Sequence, residues 1–292
     1  MIVSNIQPEN AMQITAEKPS ASNTESIRAK FNYVVDNGVP PVRYIDWPEM
    51  AHNAVEPVYQ QHEMSVRNGR PLRDTFHIDT HGFVFVDHFT QVKDFTDEAQ
   101  RTNVYDLEVQ ALIKKHSGAV DVHVFDHTLR VSDAQLQQAL NARPTVKGVH
   151  NDYTEASAPR RLREIIGEAE AERRFKKRWA IIQVWRPIRG TVMIDPLGIC
   201  DGRSIPQKGF ILVERRYKDR TGEVYHIAHN PSHAWFHFPQ MTRYEALVFK
   251  VFDSDTSKPS RFTAHSAFDD PATPVDAPPR ESIETRAFAF FD

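Results

Sequence analysis

The stretch KGVHNDYTE, residues 147–155, sets an imidazole and a carboxylate two residues apart. In an extended chain, side chains alternate faces, so His150 and Asp152 point the same way while Asn151 turns away. Two histidines and one carboxylate on one face of a metal are how non-haem Fe(II) oxygenases hold iron while leaving coordination positions open. His150 and Asp152 supply two of the three. The plain alternative is a hydrogen-bonded pair near the surface. The iron reading requires a second histidine from far along the chain on a neighbouring strand, and His265 in RFTAHSAFDDP meets that requirement at a strand end.

An oxygenase that consumes 2-oxoglutarate also needs a cation for the end of that molecule that does not chelate iron. Arginine suits the task because its planar fork binds a carboxylate bidentately and keeps its charge. PPRESIETR supplies Arg280, with Ser282 on the same strand face and Arg286 further along it. Taken alone, Arg280 reads as a salt bridge to Glu281 or Glu284, and His265 as an ordinary strand-end histidine. The order H-x-D, distant histidine, then Arg-x-Ser is what joins them into one site.

Other residues attach to the same reading. In QVWRPI, Gln183 and Trp185 share a face, and Arg186 could reach the oxoglutarate or a substrate carboxylate; packing of Trp185 and a surface pair for Arg186 are equally good explanations. Tyr153 beside Asp152 is a candidate partner of the carboxylate or a pocket wall. Trp235 and Phe238 in AWFHFPQM are candidate apolar walls. A second H-x-D, His77 and Asp79 in HIDTHGFVFVDH, lacks an Arg-x-Ser partner and reads as a strand and turn. His229, His233 and His237 are spaced for a zinc face on a helix, but Pro231 forbids that helix and the aromatic alternation favours a strand.

Behind these residues must stand a scaffold of many short strands. From Arg178 onward, apolar segments such as WAIIQVWRPI, GFILVERRY, EALVFKVFDS and ESIETRAFAFF follow one another with Gly, Pro, Asp and Asn between them. That rhythm predicts a mainly β protein with flanking helices, built on a jelly-roll, cupin-like core of the double-stranded β-helix type. Helices are expected over residues 96–118, stopping at Gly118, and over 158–178, where Leu162, Ile165 and Ile166 form one apolar stripe. Arg and Lys interleave with Glu in the second helix, which suits pairing along its surface. DDPATPVDAPPR is a stiff connection between two strands.

At 292 residues, with 40% hydrophobic and 26% charged residues, the chain can bury a sizeable core. Residues 1–25 are polar and read as a mobile lead-in, leaving 26–292 as a single domain with an N-terminal α+β extension. The net charge of -3 argues against a general nucleic-acid binder. Cys200 is the only cysteine, so no intrachain disulfide and no thiolate metal cage can form. No apolar run is long enough for a signal peptide or a membrane span, and the expectation is a cytoplasmic protein.

The blocks GVHNDYT, VWRPI, DPLGICDGRS, HAWFHFPQMTRYEALVFKVFDS, HSAFDDP and PPRESIETRAFAFF resemble the fungal AsaB-type hydroxylase/desaturase family, whose bacterial relatives include a cephamycin methoxylation subunit. The likeness runs from about Phe31 to the C-terminus and is strongest from His150 onward. It implies a double-stranded β-helix oxygenase of secondary metabolism that depends on Fe(II) and 2-oxoglutarate. By motif match it implies iron on His150, Asp152 and His265, and oxoglutarate on Arg280. Hydroxylation, desaturation, ring formation and endoperoxide formation all occur in the family, so the likeness does not name a product. The partners expected are O2 and a small natural product such as a meroterpenoid, with no nucleic acid and no membrane, and with a homodimer open as the assembly. Two other readings stay open: an iron oxidase that needs no oxoglutarate, and a non-catalytic jelly-roll module that binds a ligand or a partner.

Overall fold

The computed structural model describes residues 25–292. The polar lead-in expected over residues 1–25 lies outside the described residues except for its last position. Four strands come first: β1 (Ser26–Val34), β2 (Val42–Tyr44), β3 (Tyr59–Asn68) and β4 (Phe83–Asp87). β5 (Asp121–Val131), β6 (Arg143–Pro144) and β7 (His150–Asn151) follow the first long helix. After two further helices come β8 (Trp179–Arg189), β9 (Leu197–Cys200), β10 (Phe210–Arg216) and β11 (Thr221–Ile227). β12 (Trp235–His237), β13 (Glu245–Asp253), β14 (Ala264–Ala267) and β15 (Glu281–Phe290) complete the set.

These strands form two sheets. One has the order β1-β3-β12-β9-β14-β7-β11-β10-β2, the other β4-β13-β8-β15-β5-β6. Neighbours in space are seldom neighbours in sequence, as the double-stranded β-helix requires. β5 and β7 belong to this core, so the jelly roll reaches further toward the N-terminus than the C-terminal half to which the strand rhythm pointed.

Strand alternation sorts the apolar residues into layers. Trp179, Ile181, Trp185, Leu197, Ile199, Phe236, Phe249 and Phe288 pack together between the sheets. Ala180, Ile182, Val184, Ala287 and Ala289 point the other way and pack beneath the helix Asp106–Ser117, through its Val109, Leu112 and Ile113. On the far side of the larger sheet, Phe31, Tyr33, Val66, Val149, Cys200, Trp235 and Ala264 form a third cluster. Burying a residue such as Trp235 or Phe249 in these layers stabilises the fold by about 1.5–3 kcal/mol each before the entropy of ordering is subtracted.

Two local differences from the expected elements have clear causes. The helix expected over 158–178 is two helices, Ser157–Ile166 and Glu168–Arg174. Gly167 separates them at a positive φ of 81°, a backbone conformation that ends the first helix. HIDTHGFVFVDH is strand only from Phe83 onward; His77 to His81 form a turn that Gly82 closes at φ 88°. No described helix is long and apolar enough to cross a membrane.

Candidate metal centre

β7 is two residues long and is held on both edges. His150 lies opposite His265 of β14 on one side and opposite His226 of β11 on the other. Val149 and Ala264, each one residue earlier, are buried in the cluster on the outer face. Alternation therefore turns His150 and His265 to the inner face together. Asp152 follows just past the end of β7.

One ligand atom from each of His150, Asp152 and His265 lies within 4.8 Å of the others. Nε2 of His150 is 3.5 Å from Oδ1 of Asp152, and the two histidine rings are 4.3 Å apart between centroids. Nδ1 of His150 is 2.8 Å from the Gly148 carbonyl, which can only accept, so Nδ1 carries the proton and Nε2 offers its lone pair. Neither ring nitrogen of His265 has a hydrogen-bond partner although the residue is buried. Buried polar atoms without partners are rare and call for an explanation. A cation held by two imidazoles and a carboxylate accounts for this one, and the donor set suits ferrous iron.

Electrostatics prepares the same three groups. Burial and the neighbouring His265 push the His150 imidazole down to about 3, so it is neutral and able to ligate at neutral pH. Burial likewise lowers His265. Burial alone would raise the Asp152 carboxyl, but Arg286 and both histidines outweigh it and hold the group well below the usual carboxylate range.

Arg286 is the hub of the charged layer beside the triad. Its Nε donates to Oδ2 of Asp152 at 2.9 Å and its Nη2 lies 2.8 Å from the same oxygen, leaving Oδ1 toward His150. It also pairs with Asp126 at 2.6 Å and Glu284 at 3.0 Å. Glu284 in turn accepts from Arg130 at 2.5 Å. Burial opposes ionisation of Glu284, yet the two guanidinium groups bring its carboxyl down to about 2.

Arg280 stands in contrast. It is buried just before β15, with its guanidinium 5.4 Å from the centre of the Trp185 ring and one N–H given to the Asp195 carbonyl. Among the described residues no carboxylate lies within ion-pairing distance of it, and its Nε has no partner. Burial lowers its pKa to about 10. Ser282 follows, its hydroxyl 3.4 Å from the Arg130 carbonyl. Gln183 pairs across to Arg286 on one side and to Phe249 on the other, and the Phe249 ring is 5.0 Å from His265. Neither amide atom of buried Gln183 has a partner. An unpaired guanidinium and an unpaired amide in this interior fit a co-substrate that ends in a carboxylate.

The remaining candidates are spread more widely. Tyr153 lines a cavity of about 220 Å³ that also reaches His150, Asp152 and Arg286. Trp185 is buried between the sheets beneath Arg280. Arg186, one residue on, turns to the opposite face, where it bonds His88 and the Arg243 carbonyl and lies over Phe95 and Tyr105. Trp235 stacks on Phe31 at 4.3 Å in the outer cluster and donates to the Tyr33 hydroxyl. Phe238 stacks on Phe85 at 4.1 Å within the core. Neither lines that cavity, whose walls are mostly charged. Asp79 of the second H-x-D is taken up by Arg178, Lys258 and Lys250 at 2.6, 2.9 and 3.2 Å.

Sequence reasoning passed over Arg130, Asp126 and Arg215, and offered Glu284 to Arg280, whereas it pairs with Arg130 and Arg286. Asp126, Thr128 and Arg130 alternate along β5 opposite Arg286, Glu284 and Ser282 of β15, so one polar face meets another. Arg215 is two residues from fully buried Val213 on β10 and shares its face. A cation at an inward position of a strand was the available signal.

A family model described as an oxidoreductase/YMDC permease-like domain matches residues 31–290. The hydroxylase/desaturase CTB9 of Cercospora beticola is 36% identical over 80% of this chain and 78% of its own. The Fe(II)/2-oxoglutarate-dependent dioxygenase nvfI of Aspergillus novofumigatus is 31% identical over 78% of this chain and 83% of its own. The solved structure of the iron and alpha-ketoglutarate-dependent endoperoxidase NvfI superposes with a TM-score of 0.83, covering 91% of this chain and 98% of that one at 26% identity. The chain therefore belongs to the family of fungal hydroxylase/desaturases and Fe(II)/2-oxoglutarate-dependent dioxygenases, enzymes that combine ferrous iron, 2-oxoglutarate and O2 with a small-molecule substrate.

Proposed function

We propose that this protein oxidises an unactivated C–H bond of a natural-product intermediate, with iron on His150, Asp152 and His265 and the distal carboxylate of 2-oxoglutarate on Arg280 and Ser282. The observation that carries the reading is the convergence of the three donors within 4.8 Å, with both nitrogens of His265 lacking any protein partner. When bound, the iron and its co-substrate supply the oxidising power.

The protein's own residues do the rest. The Gly148 carbonyl fixes the His150 ring and its tautomer. Arg286 holds one oxygen of Asp152 and leaves the other toward the histidines. Phe249 packs its ring against His265. Arg280, over the indole of Trp185, supplies a cation that no protein carboxylate neutralises directly, and Gln183, across from Arg286, offers an unpaired amide. Whether the oxidised carbon gains a hydroxyl, loses a neighbouring hydrogen, closes a ring or takes up more oxygen is set by how the substrate is held. We take residues 26–292 as one catalytic unit acting in the cytoplasm, without nucleic-acid or membrane partners, as a monomer or homodimer.

Anaerobic titration with Fe(II) and then 2-oxoglutarate tests this. The expected result is a metal-to-ligand absorption band that appears only when both are present and is lost in His265→Ala. Succinate formed one for one with product separates this enzyme from an iron oxidase that needs no oxoglutarate. Protein that binds no iron would instead be a non-catalytic jelly roll.

A further inference from the structure

The cavity that reaches the metal centre is lined by seven arginines and four carboxylates, although the whole chain carries a formal net charge of -3. Four of these arginines are already neutralised: Arg286 by Asp126 and Asp152, Arg130 by Glu284, Arg161 by Glu164 and Arg160 by Glu223. Three, Arg143, Arg215 and Arg220, form no ion pair among the described residues.

Arg215 is the telling one. Its Nε is buried and without a hydrogen-bond partner. It lines the cavity together with His150 and Asp152. Burial pulls its pKa below the ordinary arginine value, and Asp152 is the charge that most opposes this. Arg215 is half-buried, and its buried Nε without a partner is costly; an anion seated against it would remove that cost. Arg215 sits near the end of β10, in the hairpin that the sheet order places beyond β7, on the side away from β14. Arg280, by contrast, lies between Trp185 and Asp195. The two unpaired guanidinium groups are thus carried by different sheets, and only Arg215 lines the cavity that reaches His150 and Asp152.

We propose that Arg215, with Arg143 and Arg220 nearer the rim, forms a second anion subsite, and that the substrate is an organic acid whose carboxylate docks there. This rests on the oxygenase reading above and narrows its substrate class. The carboxylate orients the molecule by a bidentate contact, leaving an apolar part to approach the metal centre. A neutral terpenoid skeleton would leave the buried Nε of this arginine without a partner.

The test uses anaerobic holoenzyme with Fe(II) and saturating 2-oxoglutarate, probed with acetate, benzoate and 4-phenylbutanoate, each against its methyl ester. Binding is read by calorimetry and by perturbation of the metal–oxoglutarate absorption band. At least one acid should bind about tenfold or more tightly than its ester. Arg215→Met should bring that ratio within about twofold while oxoglutarate affinity stays within about twofold, and Arg215→Lys should restore part of the preference. If Arg215→Met misfolds, Arg143→Ala with Arg220→Ala, both at exposed positions, should still lower acid binding by severalfold and steepen nothing for the ester. No acid-over-ester preference in the wild-type protein, including no binding of either, overturns the subsite. Loss of oxoglutarate affinity in Arg215→Met, with the acid preference intact, overturns it too and makes Arg215 a co-substrate anchor. Absence of the absorption band in the wild-type protein would instead defeat the oxygenase reading itself.

Discussion

The chain contains the triplet H-x-D twice, and the two copies have opposite fates. His77 and Asp79 lie in a turn, where the carboxylate is claimed by Arg178, Lys258 and Lys250. His150 and Asp152 lie at a two-residue strand that faces His265, with an arginine holding only one oxygen of the carboxylate. The residue types are identical. What differs is which charges surround the acid and whether a second imidazole is brought opposite. The first copy ties Lys250 and Arg178 into an ionic cluster with Asp253; the second faces a histidine, His265, neither of whose ring nitrogens has a partner.

Swapping residues between the two roles breaks or sharpens that contrast. His150→Ala and His265→Ala should each reduce bound iron to background and turnover by about a thousandfold or more, while His77→Ala keeps iron. Metal analysis of anaerobically prepared protein decides it, and iron retained in His265→Ala would end the distinction. Next in size, Arg280→Ala should raise the oxoglutarate concentration for half-maximal turnover by about a hundredfold with iron retained, as loss of a charge-assisted bidentate contact demands. Arg286→Ala should instead weaken iron binding by about tenfold to a hundredfold, because it frees Asp152. If only Arg286→Ala raises the oxoglutarate requirement, the roles of the two arginines are reversed.

Asp79→Ala should lower folding stability by about 1–2 kcal/mol in chemical denaturation and leave iron content unchanged, since its side chain is partly solvated and Arg178 and Lys250 keep Asp253. Mild acid should act on stability as well, without touching the contrast between the two triplets. Burial pushes His88, His233 and His237 each down to about 4. Unfolded histidines take up protons below about pH 6.5 and these folded ones do not, so stability falls as pH drops from there toward 4. Each pH unit below about 5.5 should remove up to about 1.4 kcal/mol for each of the buried His233 and His237 and less for the half-buried His88, read as a falling thermal midpoint. A midpoint flat between pH 7 and 5 would mean that these rings are hydrated.

Much of this was legible in the residues. The triad could be found because a strand-borne H-x-D leaves a single well-defined requirement, a distant histidine, and His265 fills it. The β-rich fold was legible from alternation and turn residues. The split of the 158–178 helix was hidden because Gly167 sits inside an otherwise continuous apolar stripe, and only its backbone angle reveals the break. Aromatic residues misled in the other direction. Trp235 and Phe238 have the chemistry of a pocket wall, but a protein with three apolar layers needs large fillers, and these two serve that need. The cavity wall is charged because it is built from Asp126, Thr128 and Arg130 together with Arg215, an arrangement that depends on which strands lie side by side. Composition cannot convey that.

The hairpin of β10 and β11 touches the metal centre at one edge only, through the pairing of His226 with His150. Its far end, including the turn that carries Tyr217 and Arg220, borders the cavity without contributing a metal donor. On the proposed reading, selectivity and oxidising machinery are mounted on separate pieces of chain. A descendant with a lengthened or rewritten tip could accept a differently shaped molecule while inheriting the ferrous chemistry intact.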